Sequence, residues 1–91
     1  MMQVRWTTLA AEDLQHIALH IQRDNPSAAR EVAQTLYENA MSLETLPGRG
    51  RTGRIAGTLE LVSFPPFIIV YRITTDAVEI LRIYHGAQDW P

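Results

Sequence analysis

The chain has 91 residues, 46% of them hydrophobic, with eight arginines and no lysine against ten acidic residues, three histidines and no cysteine, for a formal net charge of −2. That length closes one core and not two, and the missing cysteine excludes disulfides, thiol nucleophiles and thiolate-held metals and fits a reducing compartment. The mild acidity argues against a protein built mainly to grip a phosphate backbone, and no apolar run approaches the ~20 residues of a membrane-crossing helix.

Met1–Ala10 lacks the continuous apolar segment of a signal peptide, so a soluble cytoplasmic protein is expected. Val4 and Trp6 alternate with Gln3 and Arg5, which reads as a short strand, and Thr7–Thr8 then supply a helix N-cap hydroxyl. Glu12 and Asp13 follow, placed for the positive end of the helix dipole in the first turn. Ala10, Leu14, Ile17 and Ile21 form one apolar stripe, so a helix is expected from about Leu9 to Arg23. Asp24–Asn25–Pro26 ends it and starts another, with Asn25 as cap and Pro26 at the first helical position. Ala29, Val32, Leu36, Ala40 and Leu43 carry the second stripe to about Leu46, and so short a connection makes the two helices an antiparallel hairpin.

Pro47–Gly48 closes the helices, and Gly48–Arg49–Gly50–Arg51–Thr52–Gly53–Arg54 follows as a loop without periodicity. Charge is uneven: residues 1–46 hold three arginines against six acids, and residues 47–91 hold five against four. Leu59–Glu60–Leu61–Val62 reads as a strand, and Pro65–Pro66 cannot donate to a ladder and belongs in a turn or bulge. Phe67–Ile73 and Val78–His85 are rich in β-branched and aromatic residues and flank the turn material Thr74–Ala77, so they form an antiparallel hairpin. The consecutive apolar residues Ile68, Ile69 and Val70 require cover on both faces of that hairpin. The expected fold is α+β, a helical hairpin packed on one face of a small antiparallel sheet in the order β-α-α-β-β-β, filling a single domain over residues 1–91.

With this order in hand, the chain resembles the RelE/ParE toxin superfamily. The resemblance rests on Val4–Trp6, Ala11–Glu12–Asp13–Leu14–Gln15–His16–Ile17, Asp24–Asn25–Pro26–Ser27–Ala28–Ala29, Gly53–Arg54, Gly57–Thr58, Glu60–Leu61–Val62, Ile69–Val70–Tyr71–Arg72, and Val78–Glu79–Ile80–Leu81–Arg82 through His85–Gly86. It leans to the ParE side, whose members are often labelled plasmid stabilisation proteins. What the resemblance implies is the toxin of a type II toxin–antitoxin pair, neutralised by a small cognate antitoxin. Members divide into ribosome-dependent mRNA endonucleases and growth-inhibiting poisons of DNA gyrase. The gyrase side is expected here, and the chain is then a protein-binding toxin more than an enzyme.

RNA cleavage needs a base, an acid and cations for the phosphorane charge. Where cleaving members carry an arginine before the apolar–Val–Tyr triplet this chain has Ile68, and the preceding strand offers Leu59, Glu60 and Leu61 in place of lysines. Glu60, Arg82 and His85 remain as a minimal acid–base set for the alternative reading. Arg82 interrupts an apolar strand, where a charge needs a partner; the plainer account is an ion pair with Glu60 or Glu79. Arg51, Arg54, Arg82, His85 and Trp90 are the candidate target contacts, with Arg49 extending the loop's charge; its plainer account is a solvated turn. No direct sequence-specific nucleic-acid contact is expected of the toxin alone, because no aromatics interleave with those arginines. His16 and His20 stand four apart on one helix, but no third ligand is evident in the sequence, so neither metal nor cofactor is expected. Leu19, Tyr37 and Met41 lie off the helical stripes and are candidates for the antitoxin groove. Family members commonly carry arginine where this chain has Leu59, which raises a further reading, an attenuated module that only binds antitoxin.

Overall fold

A computed structural model describes residues 2–88. The elements are β1 (Gln3–Trp6), α1 (Thr8–Gln22), α2 (Pro26–Met41), β2 (Arg51–Thr52), β3 (Leu59–Val62), β4 (Phe67–Ile73) and β5 (Ala77–His85), and the five strands form one sheet in the order β1-β5-β4-β3-β2. The helical hairpin lies across one face, so the α+β architecture stands.

Both helix starts follow the sequence. Thr7 Oγ accepts the Ala10 N–H at 3.1 Å and Asn25 Oδ1 accepts the Ala28 N–H at 3.1 Å, each satisfying a donor the helix leaves open. Because α1 begins at Thr8, Glu12 and Asp13 fall beyond its first turn and are not dipole groups as expected. The second helix is shorter than its stripe. At Ser42 the hydroxyl donates back to the Asn39 carbonyl at 2.6 Å, the chain tightens into a 3₁₀ turn over Ser42–Glu44, and Leu43 still reaches the core with no exposed surface.

Two features of the sheet depart from expectation. The sheet is mixed, since β1 pairs in parallel with β5, Val4 opposite Val78 and Trp6 opposite Ile80. Alternation of side chains marks a strand but is blind to the direction of its neighbour. The arginine loop also contains β2, with Arg51 opposite Glu60 and Thr52 opposite Leu59. Two residues carry no period to read.

The main core joins Val32, Leu36, Ala40 and Leu43 to Ile69, Tyr71, Val78, Ile80 and Ile83, with Leu14, Ile17 and Ile21 packed against it. A register shift between Val70 and Tyr71 sets Ile80 opposite Tyr71 while Ile83 stays opposite Ile69. The extra residue lets both isoleucines face the helices although they are three apart. On the other face Ile68, Val70 and Tyr84 form a smaller buried cluster. The Pro65–Pro66 bond is cis and lies in the turn between β3 and β4. Among the described residues no helix is long and apolar enough to cross a membrane.

Candidate functional site

Glu60 projects from β3 on the face away from the helices, opposite Val70, and only 3% of it is exposed. A carboxylate so deeply buried needs donors, and the arginine loop supplies them: the Arg54 N–H at 3.0 Å and Arg51 Nη2 at 3.5 Å. Tyr84 shares this face, and burial, reinforced by the Glu60 charge, pushes its phenol above the usual tyrosine range while Arg54 and Arg51 pull the other way. The loop is therefore fastened to β3 through Glu60.

Its other end is fastened from the core. Tyr71 is fully buried, its hydroxyl donating to the Pro47 carbonyl at 2.7 Å and accepting the Gly50 N–H at 2.8 Å. A Cβ on Gly50 would stand 2.7 Å from that hydroxyl, so glycine is required by the close approach. Arg49 Nη1 reaches Ser42 Oγ at 2.6 Å. Arg51 and Arg54 are thus exposed on a shaped segment.

Arg82 does not pair with Glu60 or Glu79. Its Nε and Nη2 grip Asp13 of α1 at 2.7 and 3.0 Å, and Asp13 Oδ2 also accepts the Ile83 N–H at 2.9 Å. The reason is topological. β1 covers β5 only from Ala77 to Ile80, so beyond that the edge of β5 is open and the start of α1 closes it, with Thr7 Oγ donating to the Leu81 carbonyl at 3.0 Å. The bidentate contact holds the guanidinium above its ordinary pKa. Glu79 pairs instead with Arg72.

His85 alternates to the helix-covered side. It stands opposite Phe67 with ring centroids 5.6 Å apart and planes at 83°. With His16 and His20 it borders a cleft of about 300 Å³. Glu60 and Arg82 lie on one face of the sheet and His85 turns to the other, so the acid–base set named from the sequence is not brought together. Among the described residues no group of three or more histidine, aspartate or glutamate side chains is arranged to hold a metal ion. Trp90 lies outside the described residues.

Leu19 and Tyr37 are exposed and Met41 is half-buried. Tyr37 stacks on Trp6 of β1 at 6.0 Å and 14°, which extends an apolar surface from α2 to the edge of the sheet. Sequence reasoning missed Asp13 as the partner of Arg82 and Tyr84 as the neighbour of Glu60. It also missed that the three histidines border one cleft. The first and last of these require knowing that α1 lies along β5, for which the sequence carries no local signal.

The family model of the ParE toxin of the type II toxin–antitoxin system parDE matches residues 4–90. The chain belongs to the ParE toxin family. It is 42% identical to Y4kP of Sinorhizobium fredii, a candidate toxin by its name, over 98% of this chain and 93% of that one. It is also 41% identical to toxin RelE2 of Caulobacter vibrioides, over 97% and 99%. Among solved structures it is similar to the chromosomal ParDE toxin–antitoxin system of P. aeruginosa, with a TM-score of 0.87 and 29% identity over 93% of this chain and 96% of that one. This ParE-family chain is accordingly a toxin of the RelE/ParE superfamily of type II systems.

Proposed function

We propose that this ParE-family toxin acts by binding a protein target, DNA gyrase, and that a cognate antitoxin silences it by docking along the Trp6–Tyr37–Met41 surface and the free edge of β1. The observation that carries the reading is the division of the candidate acid–base set. Glu60 is engaged in fastening a loop and Arg82 in closing a strand edge, whereas His85 faces elsewhere. The exposed guanidinium groups of Arg51 and Arg54, on a loop held by Tyr71 and Glu60, are the target contacts. Extended-strand addition needs an edge with unpaired backbone groups, and β1 is an edge strand.

DNA supercoiling by purified gyrase, with increasing amounts of the toxin, tests this directly. Lost supercoils together with accumulated cleaved DNA are the expected result. No effect from folded protein that still binds antitoxin would overturn it. A ribosome-dependent endonuclease is the second reading, favoured by the 41% identity to a protein named RelE2 and by the grouping of Glu60, Tyr84, Arg51 and Arg54 on one face. His85→Ala should leave a gyrase poison mostly intact and abolish an endonuclease that uses this imidazole. Leu59 is half-buried against the main core, so its side chain serves packing, and Leu59→Arg tests the attenuated reading by a gain in toxicity.

A further inference from the structure

The cleft beside His85 has a chemical bias. Ile17 and Ile21 of α1 and Phe67 of β4 supply apolar walls, and His16, His20, His85 and Gln88 supply the polar groups. Among the described residues no carboxylate lines it. The turn after β5 fixes what two of these polar groups can offer. His85 Nδ1 accepts the Ala87 N–H at 3.0 Å, so the ring's own proton sits on Nε2, and Gln88 Oε1 accepts the His85 N–H at 2.7 Å, which leaves the Gln88 amide its NH₂ group. Both are donors. A ligand that matches such a cleft carries an acceptor without a proton of its own, attached to an apolar body.

We infer that this cleft receives a partner protein segment in which an acidic residue adjoins an aromatic or aliphatic anchor, the anchor lying between α1 and Phe67 and the carboxylate meeting the His85 and Gln88 donors. The inference does not depend on gyrase being the target. A carboxylate is the complementary choice because it accepts only, and because a neutral amide would set its own donors against those of the cleft. The size agrees, since about 300 Å³ is at the lower end of what ligand pockets occupy and suits one large side chain.

The test is a pair of probes, N-acetyl-glutamyl-phenylalanine amide and N-acetyl-glutaminyl-phenylalanine amide, titrated into the full chain and followed by nuclear magnetic resonance. Expected are shifts confined to the His16, His20 and His85 rings and the Gln88 side chain, with the glutamyl probe binding about tenfold tighter, the size of one charge-assisted hydrogen bond. Gln88→Glu places a carboxylate at the rim and should reverse that preference. Because Gln88 is exposed, this variant should keep the wild-type thermal midpoint. Equal binding of the two probes, shifts elsewhere, or none at millimolar probe would overturn the inference. So would binding by a chain ending at Gln88 but not by the full chain, which would make the following residues the occupant. Shifts that follow protein concentration without probe would assign the cleft to a second copy and overturn it as well.

Discussion

On the helix-covered face, Ile69, Tyr71, Ile80 and Ile83 are buried against Leu36, Ala40 and Leu43, and the buried Tyr71 hydroxyl has both a donor and an acceptor partner. On the opposite face Ile68, Val70 and Tyr84 are buried, and Glu60, on the same face, accepts from the backbone of the arginine loop. The first face is closed by volume, because two amphipathic helices bring enough apolar surface to fill it. The second has no helix, so a charged hydrogen bond holds a short segment where packing alone would not. The arginines that this toxin displays therefore sit on the face whose cover depends on polar contacts. Loss of a methyl group should injure one face, and loss of a charge the other.

The largest expected effect breaks the comparison from the volume side. Leu36→Ala removes a fully buried side chain and should cost about 2–5 kcal/mol in urea unfolding. A cost below about 1 kcal/mol would mean that the helix face repacks freely. Next comes Asp13→Ala, which strips the Ile83 N–H and Arg82 of their acceptor; with Arg82 36% exposed the loss should be about 2 kcal/mol. Glu60→Gln should cost about 1–2 kcal/mol. Its signature is local: faster hydrogen exchange at the Arg54 amide with exchange in α2 unchanged, and uniform acceleration would show that the two faces are not separable.

The smallest effect is a pH dependence with one contributor on each face. Burial raises the phenol pKa of both Tyr71 and Tyr84. The folded chain then keeps these protons to higher pH than the unfolded chain, so this stabilisation is complete below about pH 10 and is lost as the pH climbs through the folded-state values. Tyr71→Phe and Tyr84→Phe should each flatten the alkaline fall in thermal midpoint, and a slope unchanged in the double variant would assign it to other groups.

The helices, their caps and the β4–β5 hairpin were legible in the sequence because each follows from near-neighbour chemistry. Asn25 before Pro26 caps α2 through its own side chain and the next few N–H groups, and the stripe from Ala29 to Leu43 faces a core whatever that core contains. The directions and neighbours of short strands were not legible. Two residues of β2 hold no period, and the parallel pairing of β1 arises from how the helices return the chain. The candidate residues could be chosen singly by type, as with an arginine in an apolar strand, but their grouping depended on this topology. Arg82 shows this: the nearby acids Glu79 and Glu60 were the obvious partners, and the actual one lies 69 residues away.

The pairing of β1 with β5 also has a bearing on how the toxin is born. Thr7 and Leu81, which meet at this junction, are 74 positions apart, so β1 waits for β5 to be made. The α1–α2 hairpin can form early, since its contacts are local, but its apolar stripe lacks Val78, Ile80 and Ile83 until β5 emerges. Closure of the sheet therefore waits for β5 to be made, and a newly made chain passes through an interval in which its helices are formed and only partly covered. An antitoxin already present in the cell would meet the toxin in that interval, before its sheet is complete.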